Sequence, residues 1–234
     1  TEQDIGFNVF SELDTVSLLA FAGTGDAFVK TWYCQSGNSN DATQTDTASQ
    51  PQIVSSGAVI VENGKPAVEF NDTTTYLQND TISVNTYPIA GMNVSAKQNT
   101  NSGTIFSLVN SSSGSQMFYN SYDITKTRWN ARNTTQNIKT ATGIADNTSY
   151  LNYAYWEDST SREYYINGVS KITDTATVPI FTINRIGIGR LVDSSPESSR
   201  LDGNVQELII WNTTQDATTR SGIETNVNTF FNLY

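Results

Sequence analysis

The sequence predicts an all-β fold, a sandwich of two antiparallel sheets with a short N-terminal helix and a longer helix capping it near the C-terminus. Three observations predict it. Most of the chain alternates apolar and polar residues over short segments broken by polar turns, which is strand periodicity. Two Asn-Gly dipeptides, Asn63-Gly64 and Asn167-Gly168, stand between such segments, and Asn-Gly favours the positive φ angles of a tight hairpin. Only two stretches carry helical spacing. A length of 234 suits one large β domain, and no repeat or linker divides it, so 1–234 reads as a single domain.

The elements follow in order. Asp14 can cap a helix over Thr15–Phe21, its carboxylate accepting from free amides of the first turn, with Gly23 ending it. Ala27–Tyr33 reads as a strand rich in aromatic and β-branched residues, Cys34 as a small half-buried loop residue, and the small, polar run 37–46 as a loop. Ala58–Val61 and Ala67–Phe70 flank the first Asn-Gly turn. Pro66 beside it implies an edge or a strand start, because proline has no ladder donor. Further strands are expected near 86–96, 104–109, 116–121, 127–131, 149–156, 162–166, 169–173, 180–189 and 204–211, with Ser-rich loops at 110–115 and 194–199. From about Thr214 onward, Ile223, Val227, Phe230, Phe231 and Tyr234 form one apolar helical stripe that can cover the sandwich.

Composition excludes more than it names. Asn, Thr and Ser number 24, 32 and 25, about 35 % of the chain, while charged residues make up 15 %, so amides and hydroxyls are expected to wet the surface. There is no histidine, which removes imidazole bases, Ser-His-Asp systems and His-ligated metals. The net charge of −10 repels nucleic acid, and no apolar run reaches the length of a membrane span. The charge is uneven: residues 1–75 carry −8, residues 76–140 carry +3. Seven Asn-X-Ser/Thr sequons occur, close to the number that chance gives in so Asn-rich a chain.

Three segments in this order carry a resemblance: Trp32-Tyr33-Cys34-Gln35-Ser36-Gly37-Asn38-Ser39-Asn40-Asp41-Ala42-Thr43-Gln44; Gln50–Val54 with Gly64–Phe70; and Leu201–Asn212 with the terminal helix. Together they resemble the concanavalin A-like lectin/glucanase superfamily in its laminin-G-like branch, with Cys34 where that family's box usually has Asp. The resemblance implies a jelly roll. It also implies the settings in which such domains are common: phage tail and capsid surfaces, bacterial adhesins, and the neighbourhood of arabinofuranosidase catalytic domains. Relatives usually carry a further strand before the N-terminal stretch, which implies cleavage from a longer polypeptide or an edge completed by a neighbouring chain.

Glycoside hydrolysis needs two carboxyls flanking one bond. No E-x-D-x-x-E-type run occurs, and the remaining acids, Glu157, Asp158, Glu163, Asp202 and Glu207, form no evident pair, so the chain reads as a non-enzyme. Calcium needs only oxygen ligands, and Asp41 and Asp72 are its candidates; otherwise no cofactor is expected. Sugar binding suits a chain rich in aromatics and amides. Its candidates are Trp129 with Arg128 and Asn130, and Trp156 with Tyr155, whereas Trp32 and Trp211 belong to apolar strands and read as core. The expected function is a structural, decoration or adhesion domain on a virion or cell surface, with a glycan-binding module as the alternative and a glycoside hydrolase related to arabinofuranosidases ranked below it. Homo-oligomers or docking to other surface proteins are the expected partnerships, with neither nucleic acid nor membrane insertion.

Overall fold

The computed structural model describes residues 1–84, 86–99, 103–192 and 199–234. The chain forms helix α1 (Thr15–Ala22), then the short strands β1 (Ala27–Phe28), β2 (Thr31–Trp32), β3 (Ala42–Thr43), β4 (Gln52–Ser55), β5 (Ala58–Val59), β6 (Val61–Glu62), β7 (Lys65–Pro66), β8 (Val68–Phe70) and β9 (Leu77–Asn79). Longer strands follow: β10 (Ile89–Lys97), β11 (Gly103–Val109), β12 (Gln116–Asp123), β13 (Lys126–Asn133) and β14 (Thr135–Thr142). Then come β15 (Thr148–Asp158), β16 (Ser161–Ile166), β17 (Val169–Asp174), β18 (Arg185–Ile188), β19 (Gly203–Trp211) and helix α2 (Ala217–Phe231). The front sheet has the order β1-β4-β8-β19-β10-β15-β16-β17 with β5 beside β4; the back sheet has the order β14-β13-β12-β11-β18-β9-β3-β2. Neighbouring strands pair antiparallel, as expected for a two-sheet sandwich.

Both helices form for the reasons their sequences give. Asp14 accepts the Ser17 amide at 3.1 Å, and Gly23, at φ +61°, ends α1 one residue beyond the expected boundary. Helix α2 starts at Ala217 rather than near Thr214, because its cap is Asp216, whose carboxylate takes the Thr219 amide at 2.7 Å. Its stripe of Ile223, Val227 and Phe231 packs on Met92, Val94, Leu151 and Tyr153, on the outer face of the front sheet. Burying a side chain such as Phe231 contributes about 1.5–3 kcal/mol. The front sheet is thus covered on both faces.

Several expected strands change shape. Ala27–Tyr33 breaks into β1 and β2, which join opposite sheets, so the chain turns a corner there. Asn63-Gly64 does close a hairpin with both residues at positive φ, but its arms are β6 and β7, a separate two-stranded ribbon in which Pro66 faces Val61. The second hairpin, Asn167-Gly168, joins β16 to β17 as expected. Only 185–188 of the 180–189 segment is a strand, with Ile183 bridged to Val84. Strand β14 escapes a hydrophobicity reading because Thr135–Thr142 is mostly Thr, Gln and Asn. Loop 110–115 joins β11 to β12, while residues 194–198 of the other Ser-rich stretch lie outside the described residues.

The core corrects the expected sugar contacts. Trp129 and Trp156 have no exposed surface. Trp129 stacks on Tyr164 at 5.3 Å between ring centroids, Trp156 stacks on Phe118 at 4.8 Å, and the two indoles meet edge-on at 6.2 Å. Their ring faces belong to the interior and cannot serve as sugar platforms. Successive strand residues face opposite ways, so β13 cannot present Trp129 together with Arg128 and Asn130. Trp32 and Trp211 are half-buried, packed against the inner core and the helix-covered layer respectively.

The amide-hydroxyl excess is not confined to the surface. Asn93, Ser95, Asn120, Thr127 and Asn152 are buried between the sheets and bond to one another, with the Tyr122 hydroxyl donating to the Ser95 carbonyl at 2.8 Å. A buried ionic group closes the β14–β17 side: the Arg162 guanidinium meets Asp174 at 2.9 Å and Lys139 meets it at 3.2 Å.

Candidate functional site

On the front sheet's outer face, beside the N-terminus of α2, lies an open cleft of about 650 Å³, within the range of small-ligand sites. Strand alternation builds its floor. Trp156 and Tyr164 turn into the core, so Tyr155 and Glu157 on β15, and Glu163 and Tyr165 on β16, turn outward. The register sets Tyr155 directly opposite Glu163. The cap of α2 then fixes the wall: one turn in, Arg220 lies 3.8 Å over the Tyr165 ring, a cation–π contact.

Glu163 is the electrostatic centre. Its carboxylate accepts from the Tyr155 hydroxyl at 2.8 Å and from the Ser170 hydroxyl at 2.7 Å. Burial pushes its pKa up, but the hydrogen bonds from Ser170, Tyr165 and Tyr155 and the Arg220 charge outweigh this and hold it below the usual range. Burial and the bond to Glu163 push the Tyr165 phenol up to about 12. Glu157 accepts from Thr214 at 2.5 Å, and the Thr219 amide holds the Asp216 carboxyl down. The cleft therefore offers two phenol rings, ionised acceptors and one guanidinium donor in one place.

Of the expected sugar contacts, only Tyr155 reaches this cleft. Arg128 and Asn130 lie on the outer face of the other sheet, where the Asn130 amide donates to the Tyr119 hydroxyl at 2.9 Å. Of the calcium candidates, Asp41 accepts the Cys34 amide at 2.8 Å, while Asp72 follows Asn71, whose side chain accepts the amides of Thr73, Thr74 and Thr75. Burial, then the charges of Asp72 and Glu69, push Asp202 up. Among the described residues no group of three or more Asp, Glu or Cys side chains converges where it could hold a metal ion.

No family model matches the chain, and no curated protein matches it. Solved structures do. A native heptameric SAP-like pentraxin from Limulus polyphemus superposes with a TM-score of 0.57 at 15 % identity, over 70 % of this chain and 84 % of that one. Trypanosoma rangeli sialidase in complex with sialic acid gives 0.62 at 10 % identity, over 88 % and 32 %. Mouse laminin α1 domains LG4-5 give 0.52 at 10 % identity, over 69 % and 46 %. The fold is a concanavalin A-like jelly roll, which these structures share. The chain spans less than half of the sialidase and laminin chains, and at these identities the jelly roll itself is what is shared.

Sequence reading missed Arg220 and Tyr165 in this jelly roll and weighed Glu157 and Glu163 only as acids. A signal was present: Tyr155-x-Glu157 and Glu163-x-Tyr165 place like types two apart on strands joined by a short turn, hence on one face. What the sequence does not carry is the approach of α2 to that face.

Proposed function

We propose that this chain is a non-enzymatic binding module that holds a neutral saccharide in the cleft beside α2, and that it is displayed on a virion or cell surface. One observation carries the reading: Glu163, fixed by Tyr155 and Ser170, beside Tyr165 and Arg220. Sugar hydroxyls can donate to Glu157 and Glu163 and accept from Arg220 while a C–H face lies on the Tyr155 ring. The hydroxyl- and amide-rich composition and the shared jelly roll support a displayed, extracellular domain.

The protonation pattern of the acids supports binding over chemistry. A glycosidase pairs an ionised carboxylate with a carboxyl of raised pKa. In the cleft Glu163 and Asp216 are both held down, while the acids pushed up, Asp202, Glu207 and Glu224, do not line it. A broad glycan array tests the reading: the wild type retains a saccharide, and Glu163→Gln and Tyr155→Phe each weaken it about tenfold, the consequence of one lost hydrogen bond to a charged group. Chelators leave the affinity unchanged, because side chains make every contact. A blank array, or binding indifferent to both substitutions, overturns the proposal; polysaccharide turnover abolished by Glu163→Gln replaces it with a hydrolase.

A further inference from the structure

The apolar stripe of α2 is interrupted where the helix passes the cleft. Arg220, Glu224, Val227 and Phe231 follow at i, i+4, i+7 and i+11, so all four share the face turned to the front sheet. Val227 and Phe231 pack on the apolar layer, but one turn nearer the N-terminus the same face buries a carboxyl, and Glu224 is only 4 % exposed. Its Oε2 lies 3.5 Å from Nε of Arg220, and neither that Nε nor Oε1 of Glu224 has a hydrogen-bond partner among the described residues. A buried ion pair this loose adds little stability, and an apolar side chain would fill the position as well. What the pair does fix is the place of the guanidinium, 3.8 Å over the Tyr165 ring at the wall of the cleft.

Arg220 therefore answers to two carboxylates. Glu224 lies under the helix and outside the cleft lining, while Glu163 lies in the cleft, where the Arg220 charge also reaches it. We infer that Glu224 is a positioning residue for the cleft. Ionised, it holds the Arg220 guanidinium over Tyr165, so that Arg220 and Glu163 both stay open to a saccharide. With a proton taken from solvent it releases Arg220 to Glu163, and the two then satisfy each other instead of the ligand. This rests on the reading of the cleft as a saccharide site and adds to it a regulation by acid.

The order of protonation follows from the surroundings. Burial pushes Glu224 up and the Arg220 charge only partly offsets it, whereas Glu163 is held below the usual range. The other titratable groups facing Glu224 are phenols: Tyr153 on β15, Tyr165 on β16 and Tyr234 beyond the end of α2. All three are pushed up and stay neutral in acid. On acidification Glu224 thus takes its proton first, above the ordinary glutamate value of 4.5, while Glu163 is still charged.

Carboxyl NMR titration of the whole chain, without ligand, tests the coupling directly. In Glu224→Gln the Glu163 carboxyl should bind its proton about threefold more weakly than in wild type, the effect of one ion pair gained. The change should vanish in the Arg220→Gln background, because it passes through the guanidinium. An array of neutral oligosaccharides probed at about pH 7 and about pH 5 reads the consequence: wild-type retention falls about threefold in acid. Glu224→Gln is weak at both pH values, and Glu224→Asp, which keeps the charge, restores the dependence. A raised folded pKa favours the fold below the unfolded value and loses that contribution as pH rises, so Glu224→Gln keeps or raises the thermal midpoint near neutrality. A Glu163 titration unchanged by Glu224→Gln, or changed equally without Arg220, overturns the inference. So does wild-type retention indifferent to pH, or a Glu224→Gln variant that loses midpoint and retention together, the mark of a packing role. An array blank at both pH values overturns the saccharide reading alone, and the carboxyl titration still decides the coupling.

Discussion

The side-chain amide of Asn93 donates to Oδ1 of Asn120 at 2.9 Å and so joins the front sheet to the back sheet through the middle of the sandwich. Neither residue has exposed surface, and Asn93 Oδ1 accepts in turn from Ser95 and Asn152. The bond positions two long strands against each other at a place where most sandwiches put apolar side chains. A buried network of this kind contributes little net energy when satisfied but costs much when half dismantled.

Asn120→Leu should therefore cost about 1–3 kcal/mol, because the Asn93 amide is left buried without its acceptor. Urea denaturation measures it as a lower midpoint at unchanged slope. The double variant Asn93→Leu/Asn120→Leu should lose less than the two single losses summed, since both partners go together.

Trp129→Ala and Trp156→Ala should each destabilise by about 3–5 kcal/mol through the cavity left among Phe118, Tyr164 and the other indole. Saccharide affinity of the folded fraction should stay as in the wild type. The same titration on both variants checks that these tryptophans hold the fold together without touching ligand.

Acid should weaken the fold through Asp174. Burial raises this carboxyl, but the Ala176 amide, Arg162 and Lys139 more than offset it and hold the pKa below the ordinary range. A depressed folded pKa means that the stabilisation is present above about pH 4, the unfolded value, and is lost as pH falls through the folded one. Asp174→Asn should cost about 3–5 kcal/mol near neutrality by stranding the buried Arg162, and should flatten the acid limb of a stability–pH curve.

Glu207 should act with the opposite sign. Half-buried and pushed up chiefly by burial, it favours the folded state below its unfolded pKa and loses that contribution as pH rises through the folded one. Glu207→Gln should raise the thermal midpoint at pH 7 more than at pH 4, a difference that calorimetry at the two pH values resolves.

Gly168→Ala should destabilise by about 1–3 kcal/mol. The residue sits at φ +72° in the β16–β17 hairpin, and an added Cβ would come within 3.0 Å of the Tyr234 hydroxyl. Gly143→Ala, at φ +92° with no atom within 4 Å, separates the backbone part of that cost from the steric part.

By itself the sequence determined the local physics. Asp14 and Asp216 cap helices, the Asn-Gly pairs take positive φ, and strand alternation obliges Arg128 and Trp129 to part company. It also carried the ordered segments that resemble laminin-G-like jelly rolls. Which face of each strand is interior was decided by the tertiary structure. The front sheet is covered on both sides, by the back sheet and by α2, so Tyr153 and Ala154 are equally buried while facing opposite ways, and hydropathy cannot order them. In the same way Asn93 and Asn120 read as surface residues until the two sheets close and each supplies the other's hydrogen bond. The cleft arises only when α2 brings Arg220 over Tyr165, residues 55 apart in sequence, because cation–π and carboxylate contacts act over a few ångströms that only the fold creates.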